Sequence, residues 1–542
     1  MSQPVRISVN GSDMPFLFRD AQRAVLVPRA GIDNVGNVPH ADQSPDYNAP
    51  QLMFVENVMP IARGIVATRF SELISADNAK QFDQAIVLRD SHENNALFTP
   101  AGGANYLLSN TTGLWTSSNP FSFLHKLITR AYVAGRSFVM YEKERLYEYN
   151  GSTGAVDNVT SSLVLPTGYA ISDIRGCGAA SNYLLLFTDI GILWSSPSDP
   201  LNFDSSLNNG SGQQIPQDVR GQISAILPVS GGAIIYTVRN AVAIFFTNSA
   251  ATPFVFKGIS NAGGVASYEQ VAYDADEKFQ YVWGSGGFQS VSLQGANPVF
   301  PEVSDFLTSF IYETYDYTNN VVVSQKLGSN MSVKLTFVSN RFLVVSYGPV
   351  GDIFTHALIF DSALQRWGKV KIDHVDAISY PYPNIAGDLT YDQLVTSYEG
   401  LGDASYDSLG VGILSISPPK RTIAFLGLHG NIEILSVDYL GTGIAQSVAI
   451  FGQLAHNRNK FTTLDSVELD GLDDVVDGRL FILNSIDGRN IARVTEFLTY
   501  GLQTGDYKNF LGEETGRQLC ISVVGSFQLT SLIASVSQHA KY

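Results

Sequence analysis

Chemistry in this chain would have to come from a small set of residues. Asp470, Asp473, Asp474 and Asp477 crowd one stretch, DGLDDVVDG. Carboxylates at that density can ligate calcium, but the spacing does not match the twelve-residue calcium loop with its terminal Glu. A solvated turn is the better reading. Two Gly-rich pieces, NAGG (261–264) and GSGG (284–287), lack the Lys-Ser/Thr of a phosphate loop and the strand-to-helix setting of a dinucleotide site. Both read as turns. The eight histidines are scattered, with no pair at metal-ligand spacing. No GxSxG elbow is present. Cys177 and Cys520 are too far apart to suggest a disulfide framework or a zinc site and read as buried thiols. Acidic pairs for glycoside cleavage meet only in the fold, so no pair is singled out. The expectation is a chain with no catalytic residue, no metal site and no cofactor.

Composition narrows the class further. The 542 residues suffice for more than one core. Charged residues make up 15%, against about 25% in ordinary globular chains, and hydrophobic residues 45%. Such a surface suits a β-rich assembly protein covered in part by partners. The formal net charge is −16, which argues against gripping phosphate backbones, since that needs clustered Lys and Arg. The longest basic run is Lys420-Arg421, and the alternating charges of Glu142 to Arg145 read as a solvated strand face. No apolar run approaches the length of a membrane span, and the N-terminus, MSQPVRISVNGSDMP, does not read as a secretion signal. The expectation is a protein made in a reducing cytoplasm.

The elements that would position any site are short strands. Tyr183 to Phe203, YLLLFTDIGILWSSPSDPLNF, reads as an apolar strand, a turn at Asp189 to Gly191, a second strand ending at Trp194, and a Ser-Pro exit. A hairpin this short needs neighbours to bury its faces. Similar hairpins begin at Gly103, Gly135, Gly231, Lys278, Arg341 and Arg421, the one from Arg341 ending near Trp367. Recurrence at roughly 40–50 residues is the sign of propeller blades. The alternative is a pair of β-sandwiches. The fold class expected is all-β: a β-propeller of about six blades with a smaller β platform domain. The irregular gaps between hairpins leave the blade count open.

Along the chain, residues 1–50 read as an N-terminal arm that pairs with the platform, 51–440 as the propeller and 441–542 as the C-terminal platform domain. Short helices are expected within Ser122 to Ala134 and Ser71 to Gln84. Within the propeller, 389–410 repeats a Tyr, acid, any residue, Leu unit at Tyr391, Tyr398 and Tyr406. Gly400, Gly402 and Gly410 argue against a helix there, leaving a docked loop that either contacts a partner or connects blades.

Several stretches together resemble the tail-nozzle proteins of short-tailed bacteriophages, the tail tubular protein B or tail stabilisation family. Glu56-Asn57-Val58-Met59-Pro60, with Gly64 after it, resembles the family's lead-in. Trp194 to Phe203 is similar to its W-S-x-x-x-D-P-x-x-F piece, Phe256 to Gly264 to its F-x-x-I-S-x-x-G piece, and Asp361 to Gly368 to a blade-closing strand. The loop at 389–410 and the turn Ser485 to Arg489 fit its C-terminal half. NAGG departs from the family's Gly-Ile-Gly or Gly-Cys type of turn. The resemblance runs from about residue 50 onward and rests on the order of the pieces, since each alone occurs in many propellers. It implies a structural virion protein of the viral tail: a homo-oligomer, a hexamer, ringed below the portal. Its partners would be the head-to-tail adaptor protein and tail fibre or tailspike proteins. It would close the head and pass double-stranded DNA without specific binding, and a low-density acidic wall suits sliding DNA. The competing classes are a propeller glycan hydrolase, with acids converging in the central funnel, and a receptor-binding propeller with an exposed aromatic patch.

Overall fold

The computed structural model describes residues 5–6, 16–17, most of 51–382, 420–436, and between 443 and 540 the strands named below. Asp473, Asp474, Asp477 and the whole 389–410 loop lie outside the described residues.

The chain is built from antiparallel strands. Four-stranded sheets, each in chain order, follow one another along it. The first runs from Ile86–Arg89 to Trp115–Asn119, the second from Ile128–Val133 to Ala155–Asn158, and the third from Gly176–Ala180 to Gly212–Gln214. The fourth runs from Ile223–Val229 to Phe254–Gly258 and the fifth from Val271–Ala272 to Ala296–Pro298. The sixth begins with Met331–Val338, Phe342–Pro349, Phe354–Asp361 and Arg366–His374. The seventh comprises Asp376–Tyr382, Lys420–Leu426, Ile432–Ser436 and, from far upstream, Arg69–Ile74. This is a β-propeller with seven blades, where the sequence repeat suggested about six.

Each hairpin of the sequence repeat falls in a different blade. Six of them are the second and third strands of their sheets, whereas the one after Gly103 is strands three and four of the first sheet, Ala104–Leu108 and Trp115–Asn119. That offset is why its distance to the next repeat is the shortest.

Apolar side chains seal every blade-to-blade seam. Ile86, Leu88 and Phe98 meet Val139, Tyr141 and Tyr147 between blades one and two. Phe138 and Met140 meet Cys177 and Leu184 at the next seam, and Leu185 and Trp194 meet Ile235 and Phe254 at the one after. Ile234 and Tyr236 pack on Val282 and Val291, and Tyr281 and Phe288 on Tyr347, Phe360 and Trp367. Val344 and Ile359 pack on Ile423 and Phe425. The ring then closes, because Ile378, Ala424 and Leu426 of blade seven pack on Phe82 and Ala85, just before blade one.

Three further sheets accompany the propeller among the described residues, the smallest being the hairpin Ile311–Asp316 with Val321–Lys326. Gln51–Glu56 pairs with Ser447–Leu454, which continues through Gln518–Gly525 and Arg479–Ser485 to Ile491–Leu498. Val5–Arg6 and Phe16–Leu17 pair with Ser531–Ala540, which pairs in turn with Lys460–Asp470. Sheet pairing also runs across position 440. Val58–Ile61, Gly64–Ala67 and Gln528–Leu529 extend blade six, and Gly443–Ile444 joins Arg69–Ile74.

Where the expected helices fall on described residues at 128–133 and 71–74, strands stand instead; residues 122–127 and 75–80 lie outside the described residues. Ile128–Val133 is a strand: Thr129, Ala131 and Val133 are buried while Tyr132 is exposed, a period of two that read as helical in a short window. Arg69–Ile74 is likewise drawn into blade seven, tertiary pairing overriding local propensity. Among the described residues the α-helix is Pro301–Ser309, which begins on a proline and buries Val303, Phe306 and Leu307. Of the charged stretch Glu142 to Arg145, read as a strand face, Arg145 opens the third strand of blade two and the two residues before it do not lie on a strand. Lys143 and Glu144 make the turn between the second and third strands of blade two, Lys143 in the left-handed region at φ 62.

Trp194 lies between blades three and four, its ring 5.6 Å from Phe254 and its Nε1–H donating to Gly210 O at 3.2 Å. Trp367, at the start of the last strand of blade six, sits 5.0 Å from Phe300 and Phe360. Replacing either by Ala removes a buried ring from a seam, which costs about 3–5 kcal/mol. Thermal or denaturant melts of both variants are expected to fall well below the parent; unchanged melts would mean that these rings do not hold the seams.

Candidate functional site

Two buried groups of charged side chains stand out. The first gathers near the propeller axis, on first strands and their approaches. Lys334 interrupts the apolar strand Met331–Val338 of blade six. Its Nζ lies 2.9 Å from Asp376 Oδ2, on the first strand of blade seven, and 3.2 Å from Glu269 Oε1, in the turn before blade five. Asp376 Oδ2 also accepts the Ala85 N–H at 2.8 Å, tying blade seven to the start of blade one. Arg130, on the first strand of blade two, donates from Nε to the Tyr273 hydroxyl of blade five at 3.2 Å. This bond joins blades that are not neighbours and so reaches across the axis.

The electrostatics follow from burial. Burial works against the Lys334 ammonium, but Asp376 and Glu269 beside it outweigh that and push its pKa up. Burial pushes the Asp376 carboxyl up while Lys334 and the Ala85 N–H pull it down, leaving it above the ordinary value. Tyr268, next to Glu269, is also pushed up by burial. Two carboxylates therefore converge in the funnel, but a lysine sits on both. A glycosidic bond held between them would need the place that Lys334 Nζ occupies.

The second group sits where the propeller meets the Gln51–Glu56 sheet, and its centre is Glu56-Asn57 of the lead-in. Glu56 is fully buried. Its Oε2 accepts the Thr314 hydroxyl at 3.1 Å and the Tyr315 N–H at 3.2 Å, and lies 3.4 Å from His356 Nε2. Lys371 Nζ stands 3.9 Å from Oε1. Burial raises the Glu56 pKa, but the His356 hydrogen bond and the charges of Lys369 and Lys371 prevail and hold it below the ordinary value. Lys369 Nζ lies over the Phe54 ring at 4.6 Å. Asn57 takes the left-handed conformation, φ 57, which Asn tolerates. Its Oδ1 accepts the Lys371 N–H at 2.7 Å, and its Nδ2 donates to Gln446 O at 2.7 Å. The Tyr317 hydroxyl donates to the same carbonyl at 2.6 Å. One dipeptide thus joins blade six, the hairpin Ile311–Asp316 to Val321–Lys326, and the strand that begins at Ser447.

The residues singled out from sequence fall elsewhere. Asp470 ends the strand Lys460–Asp470, which pairs with Ser531–Ala540. NAGG and GSGG are turns packed on each other. A Cβ on Gly284 would come within 2.2 Å of Gly264 O, and one on Gly263 within 2.5 Å of Gly286 N, so close backbone approach demands glycine there. Ser285 Oγ accepts the Gly264 N–H at 2.8 Å. Cys177 is buried, its thiol pushed up to about 12 by burial; Cys520 lies on Gln518–Gly525. Sequence reading passed over Arg130, Lys334, Asp376 and His356. Their signal was present: a charge inside an apolar strand marks either a wet face or a buried pair.

Among the described residues no group of three His, Cys, Asp or Glu is placed to share a metal ion. Nor is any helix among them long and apolar enough to cross a membrane. No known protein family matches the chain, and no curated protein matches it. Among solved structures, a chain of the "Crystal Structure of Mitotic Checkpoint Complex" is similar at 9% identity with a TM-score of 0.34, over 69% of this chain and 96% of that one. A likeness that weak carries no argument.

Breaking one partner of a buried pair leaves a charge stranded at a cost of about 3–5 kcal/mol. Lys334→Met is therefore expected to destabilise strongly, and Lys334→Met with Asp376→Leu to cost less than the two single changes together, as a double-mutant cycle by denaturant unfolding reads out. Additive losses would mean the two groups do not interact.

Burial holds His356 and His374 at about 4 in the folded state, against an ordinary value of 6.5. The unfolded chain then binds more protons between those values, so stability falls as pH drops from about 6.5 to about 4. His374→Asn is expected to flatten that slope in melts run across the window; an unchanged slope would assign it to other groups.

Proposed function

We propose that this protein is the ring-forming subunit of a short-tailed phage tail nozzle, a structural virion protein that closes the head and conducts DNA during ejection. The observation that carries the reading is the junction at Glu56-Asn57. The lead-in that resembles the nozzle family is the segment that ties the propeller to the second β region, through the buried Glu56 carboxylate and both amide atoms of Asn57. A subunit that must keep two β bodies in fixed relation under load uses such a tie.

Two other features support it. Arg130 and Tyr273 meet across the propeller axis, so DNA would pass between subunits rather than through a propeller. The net charge of −16 suits a wall that lets phosphate slide instead of holding it by counterion release. The lysine on both funnel carboxylates weighs against the hydrolase reading. On this proposal the ring is a hexamer below the portal and adaptor, in contact with fibres or tailspikes.

Electron microscopy of the purified protein, with its mass measured by sedimentation, tests the proposal. Closed rings of six with a central lumen are expected, in particles and in solution. A protein that stays monomeric at high concentration and is missing from purified virions would overturn it, as would release of sugars from bacterial surface polysaccharide.

A further inference from the structure

We propose that a groove between blades two and three is a binding site for a neutral sugar, a property that stands apart from the nozzle reading. The groove lies where the turn at Lys143 and the turn at Asp189 flank the connector from blade two to blade three. It is an open depression of about 380 Å³, a size that takes one or two sugar rings with one side left to solvent.

Its walls are built in advance. The connector carries two short turns of 3₁₀ helix, Thr160–Ser162 and Ile171–Asp173. Asp173 Oδ2 accepts the Ala170 N–H at 2.8 Å. The Lys143 N–H donates to Ile174 O at 2.9 Å and the Arg175 N–H to Phe187 O at 2.8 Å, so both blades fasten the connector. A groove held this way loses little freedom when it binds. On its open side, a Cβ built on Gly168 would meet nothing within 4 Å.

Its charges choose the ligand. Arg175 is paired with Asp189, and the remaining two, Lys143 and Asp173, also cancel. A phosphate or polyanion would meet as much negative as positive charge, and a cation the same. Sugar hydroxyls donate and accept at once, which fits a wall of ammonium, carboxylate and the Ser172 hydroxyl. Tyr169, partly buried and packed against the seam between blades two and three, supplies an aromatic face for the C–H face of a sugar ring.

Saturation-transfer NMR on the full-length protein, with methyl glucoside, methyl galactoside and N-acetylglucosamine as probes and inorganic phosphate as competitor, tests this. At least one neutral sugar is expected to receive saturation, to keep it when phosphate is added in equal amount, and to lose most of it in Tyr169→Leu and in Lys143→Asn. The second change removes the ammonium while suiting the left-handed backbone at that turn, so its fold is kept, as an unchanged melting temperature checks. No transfer to any of the three sugars, transfer that survives both substitutions, or displacement by phosphate would each overturn the proposal.

Discussion

The whole architecture depends on one strand that comes back. Arg69–Ile74 leaves the N-terminal part of the chain and completes blade seven by pairing with Ile432–Ser436. A propeller is a ring of sheets, each burying one face on the next, so a ring left open would expose apolar faces at two blades. Closing it with a strand from the other end of the chain makes unravelling from the C-terminal side require that this pairing break as well. The Phe82 N–H donates to Leu428 O and the Ala85 N–H to Asp376, which locks the same seam from its other side.

The segment that supplies the closing strand does more than close. Between Gln51 and Ile74 the chain contributes to three sheets in succession: the outer five-stranded sheet, blade six and blade seven. Glu56 and Asn57 sit at the first of these crossings. A carboxylate with no exposure to solvent is expensive to desolvate unless hydrogen bonds and nearby cations offset the loss. Here a hydroxyl, a backbone amide, a histidine and two lysines do so. The cost of undoing that set holds the two β regions in register, just as the Lys334 group holds blades five, six and seven around the axis.

The seven middle hairpins and their aromatic ends were legible because an apolar strand, a Gly turn and an apolar strand form a local pattern. Blade order followed, since neighbours in sequence are neighbours in space. The count was harder, because the hairpin after Gly103 is offset by one strand and the seventh blade borrows Arg69–Ile74 from hundreds of residues away. Non-local pairing of that kind leaves no periodic trace. A charge set in an apolar strand was visible at Lys334, but its partners were illegible for a related reason. Only the ring brings Glu269, Lys334 and Asp376 together. What sequence did convey at the junction was a motif, Glu56 to Pro60, without the partners that explain it.

The central claim is that closure through Arg69–Ile74 makes the propeller one cooperative unit. Native-state hydrogen exchange measures it most directly, because it reports the free energy of opening strand by strand. The amides of Arg69–Ile74 and Ile432–Ser436 should exchange with the same opening free energy, and the same denaturant dependence, as those of Gly232–Thr237 on the far side of the ring. Exchange of Arg69–Ile74 at an opening free energy far below that of Gly232–Thr237, with blades two to five still protected, would contradict it and make the closing strand an ornament on a ring that stands without it.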